Sequence, residues 1–190
     1  MQKHFVVAGR DFVVLGKISK GYTSDVFLVE DKKHRQFALK AEKQKSPRVN
    51  MVEKEALNLL FVNAFGIGPR LECFDPAQRV VVMEFVDGPT FDRWLFQKKP
   101  SAKVLSAFVK EALSQAETLD RIGISHGQLA GKGRNILVRK NTPMIIDFEK
   151  ASNKRRCRNQ NQLRALLFEN PNSAIVKRVK EILNNKKNSY

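Results

Sequence analysis

Two hydrophobic rhythms follow one another along the chain. In residues 5–40 the apolar residues come in short runs: Phe5-Val6-Val7, Phe12-Val13-Val14-Leu15, Val26-Phe27-Leu28-Val29 and Gln36-Phe37-Ala38-Leu39-Lys40. Runs this short and this rich in β-branched and aromatic residues favour strands, and the Gly9-Arg10 break between the first two reads as a hairpin turn. Between residues 50 and 65 the spacing becomes helical, with Val52, Ala56, Leu59, Leu60 and Phe65 on one side. Gly66-Ile67-Gly68-Pro69 supplies the stop signals. Two further strands are expected at residues 71–74 and 79–85, on either side of Asp75-Pro76.

Beyond Asp87-Gly88-Pro89 the helical spacing dominates. Residues 91–97 predict a short helix. Ser101 is placed to cap a long one, with Leu105, Phe108, Ala112, Leu113, Ala116 and Leu119 on one face and Gly123 closing it. A small β pair is expected at residues 135–139 and 143–148, followed by modest helices near 160–168 and 173–184. The order predicts an α+β chain. A five-stranded antiparallel sheet with one inserted helix occupies residues 1–86, and a reduced, mainly helical part occupies residues 87–190.

Composition narrows the classes. Hydrophobic residues make up 42% of the 190, enough for a packed core. No apolar run approaches the roughly 20 residues that span a bilayer, and the stretch after Met1-Gln2-Lys3-His4 has no secretory pattern. A soluble, cytoplasmic protein without membrane attachment is expected. Cys73 and Cys157 form no CxxC pair and read as free thiols, and the three histidines lack zinc-ligand spacing. The net charge of +16 is unusual. Part of it lies in the tail, where Lys154, Arg155, Arg156, Arg158, Arg164, Lys177, Arg178, Lys180, Lys186 and Lys187 are opposed only by Glu169 and Glu181. Such a balance fits a polyanionic partner such as RNA, a ribonucleoprotein, DNA or an acidic protein, or simply a solvated basic surface.

An ordered series of motifs then resembles the protein-kinase-like superfamily. Residues 19–26, Ser-Lys-Gly-Tyr-Thr-Ser-Asp-Val, look like a Gly-rich loop with Gly21 kept at the centre and Ser19 and Ser24 at the outer glycine positions. Phe37-Ala38-Leu39-Lys40 looks like the strand that ends in the phosphate-binding lysine. Its helix partner is Glu55, with Glu53 as the competing choice. Residues 81–88 resemble the hinge: Met83 would line the adenine pocket, and backbone groups of Glu84 and Val86 would pair with the base. Val26, at the end of that loop, and Ala38, in that strand, are implied to be nucleotide-binding by the same resemblance. His126-Gly127-Gln128 through Asn135, then Asp147-Phe148-Glu149, resembles the catalytic loop and the metal-binding motif in the correct order. Asn135 and Asp147 would then hold Mg²⁺ on ATP, oxygen donors suiting a hard cation.

Three departures qualify the resemblance. The catalytic aspartate position is Gln128, which orients a hydroxyl or water but is no base. The loop is longer, with Lys132 placed either to reach the γ-phosphate or to sit on a flexible basic loop. The last glycine of the metal motif is Glu149, an added carboxylate. The short segment after Asp147 and the His126-Gly127 and Ile67-Gly68-Pro69 features look closest to the compact atypical branch, which includes RIO kinases, the KEOPS-complex kinase and small archaeal Ser/Thr kinases. The resemblance implies a two-lobed kinase-like fold. It also implies an ATP- and Mg²⁺-dependent Ser/Thr phosphotransferase acting on itself, on a protein substrate or slowly on water, with Gln128, Lys132 and Asp147 at the reacting groups. Two alternatives stand beside it: a pseudokinase serving as a nucleotide-switched binding module on RNA, and a small-molecule phosphotransferase.

Overall fold

Period-two alternation sorts the side chains of the first strands to two faces of one sheet. The computed structural model describes residues 3–46 and 48–184. Among the described residues this sheet has six strands: β1 (His4–Val7), β2 (Arg10–Lys20), β3 (Ser24–Glu30), β4 (Gln36–Glu42), β5 (Leu71–Asp75) and β6 (Val80–Glu84). All pairings are antiparallel, in the order β1-β2-β3-β4-β6-β5. The expected count of five is therefore corrected to six. The short run at residues 5–7 is a strand in its own right, with His4 opposite Val13 and Val7 opposite Arg10. Complete burial of Val7 explains why so short an edge strand stays ordered.

One face of the curled sheet encloses Val7, Phe12, Val29, Phe37, Leu39, Val80 and Val82. Phe12 and Phe37 meet edge to face, with centroids 5.7 Å apart. The β1 end is tied back to the β5 end of the sheet: Arg10 reaches Glu72 at 2.8 Å, and the Gln78 amide donates to the Val6 carbonyl at 2.7 Å. The other face carries different chemistry. Val26 lies opposite Lys40, Ser24 opposite Glu42, and Ala38 opposite both Leu28 and Met83. Residues directly opposite across an antiparallel ladder share a face. Ser24, Val26, Ala38, Lys40 and Met83 are thus neighbours on the face that does not carry the aromatic core.

The helix α1 (Met51–Asn63) packs on β4, β5 and β6 and buries Met51, Val52, Ala56, Leu59 and Val62. Its last side chain secures the turn that follows. Asn63 Nδ2 donates to the carbonyls of Ile67 and Pro69, and its Oδ1 accepts from Leu71 N at 2.7 Å. Gly68 in that turn has φ +77 and sits where a Cβ would stand 2.9 Å from the Phe148 ring, so conformation and space both demand glycine.

The chain divides into two compact units. The first comprises the described residues up to Val86 together with Phe148–Lys150; the second comprises Asp87–Asp147 and the described residues from Ala151. In the second, α2 (Phe91–Arg93) runs into a π-helical turn (Trp94–Lys98), followed by α3 (Ala102–Arg121). Ser101 Oγ accepts from Val104 N, which caps α3. Leu105, Phe108, Ala112, Ala116 and Leu119 form its buried stripe, and Phe108 stacks on Phe91 at 5.0 Å. The hairpin β7 (Ile136–Arg139) and β8 (Thr142–Ile145) precedes α4 (Asn159–Arg164), its π-helical continuation (Ala165–Glu169) and α5 (Ala174–Asn184). Lys186 and Lys187 of the basic tail lie outside the described residues. Among the described residues no helix is long and apolar enough to cross a membrane.

Candidate functional site

In the first unit the chemistry centres on Lys40. Alternation along β4 places its side chain on the face away from the aromatic core, where it is only 9% exposed. Its ammonium meets Glu55 of α1 at 2.7 Å and Glu149 at 3.1 Å. Between the two glutamates considered for α1, burial decides: Glu55 is 1% exposed and Glu53 is half-buried. Glu149 is the partner that sequence reasoning did not connect to Lys40. It stands 109 positions downstream, in the short 3₁₀ turn Phe148–Lys150 that belongs to this unit. Asn58 Nδ2 of α1 donates to the Phe148 carbonyl at 2.9 Å and holds that turn against the helix. A buried ammonium between two buried carboxylates is a firmly placed cation.

Around Lys40 the same face offers Val26, Ala38 and Met83, apolar surfaces of the kind a planar base requires. Ser19 lies opposite Val26 on β2 and is exposed. Gly21 closes the β2–β3 turn. Its N–H donates to the Ser24 carbonyl at 2.9 Å, and a Cβ there would stand 2.8 Å from that same oxygen. Lys43 anchors the loop by donating to the Gly21 carbonyl and approaching Asp25 at 3.6 Å. At the end of β6 the Glu84 amide donates to the Arg70 carbonyl, and Val86 is buried.

In the second unit the site is built from backbone rather than from enclosed charge. The β7–β8 register sets Ile136 opposite Ile145, and Ile146 N donates to the Asn135 carbonyl at 3.0 Å. This brings Asn135 beside Ile146 and hence next to Asp147 in the chain. Asn135 Nδ2 donates to the Gln128 carbonyl at 3.2 Å, so its oxygen is the end of the amide that could accept a ligand. Asp147 holds φ +69, a left-handed conformation uncommon outside glycine and typical of residues constrained at functional sites. The donor set of one carboxylate and one amide oxygen fits a magnesium ion. Gln128 is half-buried, and its Oε1 is buried without a hydrogen-bond donor among the described residues. Lys132 is exposed on the same loop, which with Gln162 lines a pocket of about 450 Å³.

His126 has a structural place. It is fully buried and its Nε2 contacts the Ile146 carbonyl at 2.9 Å, so that nitrogen carries the proton. Burial holds its pKa below the ordinary histidine value, opposed by the Ile146 carbonyl and by Asp147. Asn159 is the residue the sequence did not disclose. Completely buried, it accepts from His126 N at 2.8 Å and donates to the Ile124 carbonyl and to Asp120, both at 2.7 Å. Asp120 in turn accepts from the backbone N–H groups of Asn159 and Gln160 at the start of α4. No local pattern marks these partners, which are separated by more than thirty positions.

A family model for the RIO domain matches residues 6–165 of this chain. An uncharacterized protein of Methanocaldococcus jannaschii is 34% identical to it over 102 residues, which cover 54% of this chain and 84% of that protein.

Proposed function

Because the chain belongs to the RIO domain family, an atypical kinase-like branch, we propose that it binds ATP with Mg²⁺ and passes the γ-phosphate to a Ser/Thr hydroxyl. The acceptor would be its own chain or a protein substrate, with slow transfer to water as a side reaction. The observation that carries the reading is the Lys40–Glu55 pair at 2.7 Å on the sheet face shared with Val26, Ala38 and Met83. Lys40 would neutralise phosphate charge, and Asn135 and Asp147 would hold the metal. Gln128 would orient the acceptor oxygen through its amide, since it has no useful basicity. Phosphoryl transfer depends chiefly on positioning and charge stabilisation, so loss of a carboxylate here slows the reaction more than it changes its nature.

The test follows γ-labelled ATP with Mg²⁺ into protein and into free phosphate. Gln128→Ala should lower turnover while leaving ATP affinity nearly intact, because the contact acts mainly in the transition state. Glu149→Ala and the double change are measured beside it, and Asp147→Ala should abolish transfer. Absence of wild-type turnover with retained nucleotide binding would instead establish the binding-module reading.

A specific observation supports a polyanionic partner. Lys154, Arg156 and Arg158 are exposed and make no ion pair among the described residues. We propose that this segment contacts the phosphate backbone of RNA, alone or within a ribonucleoprotein. Affinity for a short oligouridylate should then fall steeply with salt, and replacing Arg155, Arg156 and Arg158 by Ser should flatten the slope.

A further inference from the structure

Arg155 belongs to two features at once, the exposed basic segment at residues 153–158 and the fixation of the loop that carries Gln128. Its guanidinium donates to the Ser125 carbonyl at 3.2 Å. It also covers Gly127, where a Cβ would stand 2.6 Å from Nη2, 2.8 Å from Nη1 and 3.0 Å from Cζ. Gly127 has φ +79, a conformation that favours glycine, and any Cβ there would push the guanidinium aside. Ser125, the acceptor, is paired reciprocally with Ser152: each donates its N–H to the carbonyl of the other at 2.9 Å. The brace therefore acts one residue before His126 and covers the residue before Gln128. Arg156, one position on, is exposed and makes no hydrogen bond or ion pair among the described residues.

We propose that Arg155 is a positioning residue for the loop carrying Gln128, and that a nucleic-acid phosphate backbone bound along residues 153–158 draws its guanidinium away and loosens that loop. The coupling rests on the polyanion reading above; the brace itself stands without it. A phosphate offers a guanidinium a charge-assisted, bidentate bond that the Ser125 carbonyl cannot match. Linkage makes the effect reciprocal: whatever frees Arg155 from Ser125 must also raise affinity for the polyanion.

The experiment is amide hydrogen exchange on the full chain, without ATP, at Ser125, His126 and Ser152. The N–H groups of these residues are bonded to Ser152, Asn159 and Ser125. A short oligouridylate at low salt should accelerate exchange at these sites roughly three- to tenfold, the scale of losing one hydrogen bond. Arg155→Ala should show that acceleration with no RNA present and no further change when RNA is added. Arg155→Lys, which keeps the charge and loses the fork, should restore RNA affinity without restoring protection. Arg156→Ala should lose RNA affinity while its loop exchanges as in the wild type. If Arg155→Ala exchanges like the wild type, the brace is refuted. RNA that binds but leaves exchange unchanged or slower refutes the coupling alone, and failure of RNA to bind at all overturns the polyanion reading together with the coupling.

Discussion

The Lys40 site and the loop around Gln128 hold their side chains in place by opposite means. At Lys40, one ammonium and the carboxylates of Glu55 and Glu149 are enclosed together, each less than a tenth exposed. In the loop, the buried groups are an imidazole and an amide, His126 and Asn159, fixed to carbonyls and N–H groups, while Lys132 and Arg134 stay in solvent. Enclosed charge gives a stiff position, because removing the ammonium leaves two carboxylates without that cation in a poorly polarisable surrounding. A network whose buried groups are neutral, with Asp120 and Arg155 as charged members at its margin, fixes geometry by hydrogen bonds more than by enclosed charge. The first arrangement suits a permanent anchor for phosphate. The second suits a place where a transferred group and its acceptor must be oriented and then released.

The sharpest way to break this contrast is Lys40→Ala. Two buried carboxylates then lose their cation, and unfolding in urea should show a loss of about 3–5 kcal/mol. A loss below about 1 kcal/mol would mean that the cluster is hydrated and not an enclosed anchor.

Asn159→Ala probes the neutral side. It strips partners from His126 N, the Ile124 carbonyl and Asp120, and should cost about 2–3 kcal/mol, less than the charge deletion. Equal losses at the two sites would erase the distinction drawn here.

A pH titration sharpens it further. His126 has a folded pKa lowered by burial, so the unfolded chain binds the extra proton first. Its contribution to stability is complete above the unfolded pKa of about 6.5 and is lost as pH falls toward the lower folded value, at up to about 1.4 kcal/mol per pH unit. His126→Asn should lack this component between pH 6.5 and 5 when melting temperatures are compared. Parallel curves for the two proteins would contradict the assignment.

The smallest expected effect is that of Glu149→Gln. Lys40 would keep Glu55 and lose its second carboxylate. Affinity for ATP, measured by calorimetry, should rise by about threefold, since the phosphates no longer compete with that charge.

What the sequence disclosed was whatever repeats locally. Short apolar runs revealed the strands, and the motif resemblance grouped Val26, Ala38, Lys40 and Met83, whose shared face the ladder registers supply; helical spacing and Ser101 marked α3. Spacing alone left Glu55 and Glu53 as rivals, because choosing between them requires knowing which side of α1 is buried. The run at residues 5–7 was legible as one arm of a hairpin, so the count of five, and not the pattern, fell one short of the six strands observed. The partners of Glu149, Asn159 and Arg155 escaped for a common reason. Each of these residues acts on a partner thirty or more positions away, and such pairings leave no periodic trace.

If this chain holds a magnesium nucleotide, thermal unfolding with ATP in the presence and absence of Mg²⁺ will register it. A ligand bound only by the folded state stabilises by mass action, by about 2.7 kcal/mol at a hundred times its dissociation constant. ATP with Mg²⁺ should therefore raise the melting temperature of the wild type by several degrees, and Asp147→Ala should remove the part that depends on Mg²⁺. A melting curve unmoved by millimolar ATP, with or without the metal, would contradict the binding of a magnesium nucleotide.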